Sequence, residues 1–564
     1  MIYKVNTYAV ITKNDGVTQI VVSPSFLSTV EGAISIQYQK DTELMTGISE
    51  PNTAVITLIK PKVNEQENLR LFLNEISLWR MCKLELFQSI TGGDTYTKVF
   101  DGLLFERTTS LNTVTYAARG YLDLLNITLI ETPLLRNRRV ATYIPTGTTD
   151  ANKFTKLKEQ DPTILEGSSV GIINAILWLA GGRPYKYKSL FDTQYSGVAG
   201  QRPKFYYDCE ASVINPEWVW FNYENLYSDL TLLCKASGGM LSQDLDGTIQ
   251  YRNIFGTKQD WNGFVIDDSK FSKLDTNQLG TEPYSKIVTT YTPRYLSGSQ
   301  EVFSAVINEY LNYDETVERQ IQFNKPVYKL VNKTISGQIT DTIVGSDFKY
   351  VKDKINVVDS FGTKQIISAR LEPHNTLYIT KYQSTDTVGT FTKVKDTAVI
   401  PSQSTTLYIK NTQNQASTVY VGEVSLFGRA LESATQETYM LPLNQYPAIS
   451  GYKELRLNDN PYIQSESQAV RLVNVAKYLM EIPRPALSIS EIPYTSALNL
   501  GDTVLVNSAF YGISGEFKIT SVAFNSNLTT VQLSLLSMSG LFSSSETFQV
   551  GNSYQNADSR VLTF

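Results

Sequence analysis

The sequence predicts a mainly β protein, β-rich α+β, divided into several domains. Three observations carry this. The 564 residues include 34 tyrosines and 24 phenylalanines, and runs rich in Val, Thr and Ser suit half-buried strands. Period-two alternation of apolar and polar residues recurs along the chain, whereas helical periodicity is confined to a few short stretches. At roughly 150 residues per domain the length implies about four units.

Composition sets further bounds. Hydrophobic residues make up 42% and charged residues 19%, enough apolar surface for sizeable cores and too much for a mainly disordered chain. Lys and Arg number 50 against 55 Asp and Glu, a formal charge of -5. That lacks the basic surplus favoured by nucleic acid or an anionic membrane. One histidine, His374, and three cysteines, Cys82, Cys209 and Cys234, form neither a disulfide framework nor a zinc site. The cysteines read as buried small apolar side chains. The start, Met1 to Thr7, lacks the basic-then-apolar pattern of a secretory signal. The most apolar run, Val170 to Ala180, is interrupted by Asn174 and falls short of the roughly 20 residues of a spanning helix. The chain is expected to be soluble and made in the cytoplasm.

In chain order, Thr53 to Ile59 is a β-branched run suited to a central strand. Asn64 and Glu67 have the spacing of a helix N-terminal cap, and Leu69, Phe72, Leu73, Ile76 and Trp79 follow at helical spacing. Lys83–Leu86, Val99–Leu104 and Asn112–Ala118 return to strands, with a polar hairpin at Thr108–Asn112. Gly167-Ser168-Ser169 precedes a helix ending at Gly181-Gly182, a pair suited to a left-handed cap. A further helix covers Glu224 to Ala236, with Leu226, Leu230, Leu233 and Cys234 inward. Asp246-Gly247 between two short strands signals a hairpin. Lys286–Tyr291 opens another strand-rich stretch. From Leu330 to Val421 few helix signals occur, and Thr-Leu-Tyr-Ile appears at 376–379 and again at 406–409. Two matching tetrads do not make a repeat array. Ser465 and Gln468 form a capping-box pattern before a helix with Ala469, Leu472, Val473, Ala476, Leu479 and Met480 on one face. Three strands, at Leu500–Val506, Gly515–Val522 and Thr530–Leu535, follow as a meander bending at Asn525–Asn527.

No constellation of residues makes a catalytic claim. Any Ser–His–Asp or Cys–His site would need His374, which reads as an exposed turn residue. Neither a phosphate-binding Gly-x-x-x-x-Gly-Lys-Ser/Thr nor a Gly-x-Gly-x-x-Gly after a strand is present. Asp244-Leu245-Asp246-Gly247 fails the EF-hand spacing and reads as a turn. Paired carboxylates such as Asp208 with Glu210, or Asp314 with Glu315, could serve glycoside hydrolysis but read as solvated side chains. Trp218, Trp220, Phe221 and Tyr223 read as core or interface rather than a carbohydrate platform. No catalytic, cofactor-binding or metal residues are assigned, and no cofactor is expected.

Taken in order, several patches resemble the hub proteins at the tip of tailed-bacteriophage tails. Val99-Phe100-Asp101-Gly102-Leu103-Leu104 and Tyr116–Leu125 resemble the aromatic-x-Gly strand, hairpin and helix entry that end that family's first barrel. The family often has aspartate before the helix where this chain has Arg119-Gly120. Ala236–Leu241 with Asp246–Ile249 looks like its middle domain. Leu498–Val504, Gly515–Ile519 and Val531–Leu535 resemble its second barrel. The resemblance implies the domains 1–125 (first hub barrel), 126–275 (mixed α+β middle), 276–332 (start of the second barrel) and 426–541 (helix and remaining second barrel); it does not cover 333–425, whose texture reads as a β-sandwich-like insertion, or 542–564, whose composition reads as a tail.

It also implies a trimeric ring at the distal end of the virion tail, closing the tube, adapting sixfold tube to threefold tip and opening for DNA ejection. Its partners would be two further copies, the tail tube or distal tail protein, a central spike or fibre, other tip subunits and the tape measure protein, with DNA only in transit. The insertion-like texture of residues 333–425, with its duplicated Thr-Leu-Tyr-Ile, separately suggests a segment that could contact a host receptor. The alternatives are a tail-associated host-surface-binding protein or a cell-wall hydrolase. After the last matched strand fewer than about 30 residues remain, short of a typical hydrolase domain.

Overall fold

Alternating burial builds the first unit. The computed structural model describes residues 6–28, 34–37, 46–75, 79–89, 96–127, 134–143, 170–189, 203–221, 226–253, 261–279, 284–312, 315–339, 347–349, 357–359, 362–364, 367–372, 380–384, 391–395, 403–411, 419–443, 453–457, 459–480, 484–493, 498, 501–524 and 530–537. The first unit holds β1 (Asn6–Thr12), β2 (Gln19–Val22), β3 (Ile34–Gln37), β4 (Gly47–Ile48), β5 (Thr53–Ile59), α1 (Glu67–Asn74), β6 (Lys83–Ser89), β7 (Thr97–Thr109) and β8 (Thr113–Arg119). Its seven-stranded sheet runs β2-β1-β6-β7-β8-β5-β3. Ala54, Ile56 and Leu58 on β5, Leu84 and Leu86 on β6, and Val114, Tyr116 and Ala118 on β8 share one buried face. Helix α1 lays Leu69, Phe72 and Leu73 on that face, each contributing about 1.5–3 kcal/mol by leaving water. A bridge between Leu27, just past edge strand β2, and Leu58 on β5 draws the sheet towards closure, leaving less open edge.

Two sequence expectations are corrected here. Asn64 is not the helix cap: it takes φ 72, and the cap position falls to Gln66 at φ 34 without a side-chain cap bond. Glu67 instead begins the helix and pairs with Arg70. Trp79 lies beyond the last helical residue, Asn74, yet still packs on the core beside Tyr116 at 5.9 Å between ring centroids. Ile76 lies outside the described residues.

The second unit carries α2 (Leu124–Ile127), β9 (Leu135–Arg136), α3 (Ile172–Leu179), β10 (Gly182–Pro184), β11 (Phe205–Cys209), β12 (Trp218–Val219), α4 (Leu226–Ser237), β13 (Gly239–Gln243) and β14 (Ile249–Asn253). Its five-stranded sheet runs β10-β11-β14-β13-β4. The last strand, β4, is lent by the loop between β3 and β5 of the first unit and runs parallel to β13. Gly181 and Gly238 end α3 and α4 at φ +101 and φ +65, a conformation glycine adopts without a Cβ clash. The Asp244–Thr248 connection between β13 and β14 turns at Gly247, φ +86.

The next strands are β15 (Trp261–Asp267), β16 (Lys273–Leu279), β17 (Tyr284–Tyr291), β18 (Arg294–Leu296), β19 (Gln300–Leu311), β20 (Thr316–Gln322), β21 (Val327–Ile339), β22 (Asp347–Lys349), β23 (Val357–Asp359), β24 (Gly362–Lys364), β25 (Ile367–Glu372), β26 (Thr380–Ser384), β27 (Phe391–Lys395), β28 (Ser404–Asn411), β29 (Val419–Ser433), β30 (Glu437–Pro442) and β31 (Lys453–Arg456). Then come α5 (Glu466–Met480), β32 (Arg484–Pro493), β33 (Thr503–Ser508), β34 (Ile513–Phe524) and β35 (Thr530–Ser537). Strand β17 lies between β30 and β31 in a small sheet against α5, with Ile287, Leu443, Val473 and Ala476 as its core.

A second curled sheet runs β15-β33-β34-β35-β32-β16. Laid flat, six strands would hold the edges about 24 Å apart. The six-residue step from Asp267 to Lys273 joins those edges and reaches at most about 22 Å, so the sheet curls. Ile266, Leu274, Leu487, Ile489, Val504, Phe517, Ile519 and Leu533 accordingly meet in one core.

These boundaries redraw the expected domains. Strands 261–267 and 273–279 fall largely within the expected middle domain and belong to the second curled sheet. Of 276–332, the part from Tyr284 onward does not. Positions 333 and 425 cut through β21 and β29, which pair with each other, because long strands cross the texture change that sequence composition marked. His374, Tyr223, Asp314, the first Thr-Leu-Tyr-Ile, the Asn525–Asn527 bend and the 542–564 tail lie outside the described residues. The second tetrad lies in β28.

The two curled sheets share one plan. Calling their common strands a to f in chain order, β1, β3, β5, β6, β7 and β8 correspond to β15, β16, β32, β33, β34 and β35. Both sheets then read a-d-e-f-c-b. The pairs d–e, e–f, f–c and c–b are antiparallel in both. Only strand a differs, antiparallel to d in the first sheet and parallel in the second.

Candidate functional site: the junctions between units

The most elaborate polar chemistry of the described residues lies where units meet. On β7, Asp101 is 3% exposed. Its Oδ1 accepts a hydrogen bond from Tyr121 Oη at 2.6 Å, and its Oδ2 lies 2.9 Å from Lys98 Nζ and 3.2 Å from Lys83 Nζ. Glu85 completes the group, 3.1 Å from Lys83 and paired with Lys98. Burial alone would lower the Lys98 ammonium, but Asp101 and Glu85 outweigh it and hold the group above its ordinary range. From the second unit, Gln243 Nε2 donates to the Asp101 backbone oxygen at 2.9 Å, and its Oε1 accepts from Leu122 N at 3.3 Å. At Gly247 there is room for no side chain, since a Cβ would sit 2.9 Å from the Asp101 side chain. The first curled sheet is thereby pinned to the hairpin of the next unit.

A second junction joins the middle unit to the segment before α5. Gln464 acts as a two-way clamp: Oε1 accepts from Trp218 N and Nε2 donates to Trp218 O, both at 2.8 Å. Tyr462 Oη donates to Trp220 O at 2.7 Å and Asn460 Nδ2 to Leu232 O at 2.7 Å. The capping box at α5 forms in modified form. Ser465 Oγ accepts from Gln468 N at 3.3 Å, while Gln468 Oε1 accepts from Gln464 N rather than from the cap residue. Gln468 Nε2 donates to Ala236 O at 3.3 Å, tying the cap to α4. Removing the clamp strands a buried backbone donor and acceptor, which costs about 2–3 kcal/mol. Gln464→Ala is therefore expected to speed hydrogen exchange around Trp218 and Asn460–Gln468 roughly 30-fold or more, leaving the first curled sheet unchanged.

The sequence candidates for chemistry resolve into structural parts. Trp218 and Trp220 are buried, 2% and 8% exposed; Arg136 and Arg294 each lie 4.9 Å from one indole. Asp208 pairs with Arg252 at 3.1 Å. Glu210, expected to be solvated, is instead 5% exposed and accepts from Asn253 N at 3.0 Å, because it caps the end of β14. Glu315 accepts from Asn312 N at a turn. All three cysteines are free and buried; burial pushes Cys82 up to about 11 and Cys209 and Cys234 upward as well. Sequence reasoning missed Asp101, Gln243 and Gln464. For Asp101 a signal existed, an acid interrupting the otherwise uncharged run Val99–Phe105. Lone glutamines give none.

Among the described residues no helix is long and apolar enough to cross a membrane, and no group of three or more His, Cys, Asp or Glu residues could hold a metal ion. What the fold and its junctions define is a β-rich scaffold of several units locked together by buried polar side chains. No family model and no curated protein matches the chain. Solved structures similar to it along nearly their whole length include tail proteins. They include the tail protein from Neisseria meningitidis MC58 (10% identity, 95% of this chain and 97% of that one, TM-score 0.34). The 43 kDa tail protein of prophage MuSo2 from Shewanella oneidensis matches at 9% identity over 94% and 97%, TM-score 0.38. Prophage tail protein gp18 from Listeria monocytogenes EGD-e matches at 8% identity over 94% of each chain, TM-score 0.35.

Proposed function

We propose that this chain is a structural hub of a bacteriophage tail, non-enzymatic, three copies of which form a ring at the distal end of the tail tube. The observation that carries the reading is the a-d-e-f-c-b strand order occurring twice in one polypeptide. Three chains then supply six modules of one plan, which can meet a sixfold tube above while the ring stays threefold below. Closed rotational symmetry requires each interface to repeat. The resemblance of the Val99–Leu104, Ala236–Leu241 and Leu498–Val504 patches to tail-tip hubs supports the same reading. The long β19, β21 and β29 strands and their neighbours would decorate the ring, where a host-facing contact through 333–425 has room. In this reading the ring closes the tube and reorganises to let DNA leave. A formal charge of -5 suits such a conduit, since each basic phosphate contact would add salt-sensitive retention. Light scattering on the purified full chain is expected to give three times the 63.2 kDa chain mass. Imaging of virions should place the ring at the tail end. A chain that stays monomeric, or one absent from virions, would overturn the proposal.

A further inference from the structure

The charged group under the first junction has the parts of an amide-forming site. Asp101 is buried on β7. Gly247 of the middle unit closes over its side chain, where even a Cβ would come within 2.9 Å. Lys83 Nζ, on the neighbouring strand β6, stands 3.2 Å from Asp101 Oδ2 and 3.1 Å from Glu85 Oε1. Amine and carboxyl group are thus already in contact, as a near-attack geometry requires. Lys98 Nζ lies 2.9 Å from the same oxygen and also pairs with Glu85. Tyr121 Oη donates to the other oxygen, Oδ1, at 2.6 Å. The two oxygens of Asp101 therefore have different company: a phenol on Oδ1 and two ammonium groups on Oδ2.

Burial supplies the driving force. Opposite charges held inside a protein lose hydration that their attraction has to repay, whereas an amide carries no charge. Burial also pushes the Asp101 carboxyl above its ordinary range, towards the protonated form that an amine attacks. Lys98 is held charged by Asp101 and Glu85, which suits a proton donor and not a nucleophile. Lys83, the more exposed of the two at 33% against 23% of its side chain, is left as the nucleophile. Because Gly247 and Gln243 belong to the middle unit, the site is sealed only once that unit has docked.

We propose that Lys83 and Asp101 condense into an isopeptide bond that staples β6 to β7 beneath the junction. Lys83 first passes one proton to Asp101 Oδ2, which leaves a free amine beside a neutral carboxyl. Nζ then attacks Cγ, and the charge that develops on Oδ1 is met by the Tyr121 hydroxyl. Glu85 takes a second proton from Nζ while Lys98 delivers one to Oδ2. The Cγ–Oδ2 bond breaks with its electron pair on oxygen, water leaves, and the proton on Glu85 restores Lys98. One Nζ–Cγ bond forms, one water is released, and nothing is oxidised or reduced. The test is the intact mass and peptide map of the purified full-length chain. The wild type is expected to be one water lighter than its sequence, with the Lys83 and Asp101 peptides joined. Lys83→Arg, which keeps a cation at that place, and Asp101→Ala should both return the full sequence mass. Glu85→Gln should form the bond at least about 100-fold more slowly, with unchanged circular dichroism. A wild type at full sequence mass overturns the proposal. So does a bridge that runs through Lys98, or a water lost as a cyclic imide within Asp101-Gly102 while Lys83 stays free. Closure at the wild-type rate in Glu85→Gln overturns the proton relay.

Discussion

Asp101→Ala is expected to destabilise the link between the first curled sheet and the middle unit by about 3 kcal/mol. Removing one partner from a buried ionic group costs about 3–5 kcal/mol because the remaining charge is left uncompensated. Here the figure sits at the lower end, since Lys98 and Lys83 retain 23% and 33% side-chain exposure and keep Glu85 as a partner. Part of that loss falls on Tyr121, whose hydroxyl donates to Asp101 and would be buried without an acceptor, a cost of about 1–3 kcal/mol on its own. Asp101→Asn keeps an acceptor for Tyr121 and should cost less. Hydrogen exchange at Gly120–Asp123 and β13, together with proteolysis of the connection after Arg119, measures both variants. Equal protection in Asp101→Ala and wild type would show that the cluster is ornamental to the junction.

Gly102→Ala should be at least as damaging, for a steric reason. A Cβ at this position would lie 2.3 Å from the Arg119 carbonyl oxygen and 2.8 Å from the Phe100 ring. The ring could turn aside, but the carbonyl belongs to β8, whose ladder to β5 fixes it from Thr53–Arg119 onward. Relief therefore requires β7 and β8 to separate locally. Overpacking of this kind costs about 1–3 kcal/mol, more where backbone must move, so a loss of about 3 kcal/mol is expected. Denaturation followed by tryptophan fluorescence and amide exchange of β7 checks it. A neutral alanine would mean that the strands yield without cost and that the glycine is dispensable.

Much of the fold was legible in the residues because it is written in local periods. The alternations at Thr53–Ile59, Lys83–Leu86 and Asn112–Ala118 specify strands with one buried face, and Gly181, Gly238 and Gly247 mark stops that need positive φ. Capping was less legible. Asn64 and Glu67 carry the spacing of a cap, yet the chain enters α1 through two left-handed residues, since the approach from β5 sets the angle. Boundaries inside the second half escaped for a related reason: Trp261–Leu279 and Thr503–Ser537 build one sheet although about 220 residues lie between Leu279 and Thr503, and no local pattern records such a partnership.

The sequence by itself determined that this is a β-rich chain of several units, with three cysteines apolar enough to bury and a single histidine. These follow from composition and from side-chain periods, which act within a few residues. Only the tertiary structure decided that two sheets share the order a-d-e-f-c-b, that a loop of the first unit lends β4 to the next, and that Asp101, Gln243 and Gln464 lock the joints. Those outcomes depend on which distant backbone groups approach one another. A lone acid or amide becomes a fastener only when folding buries it against a partner tens or hundreds of residues away.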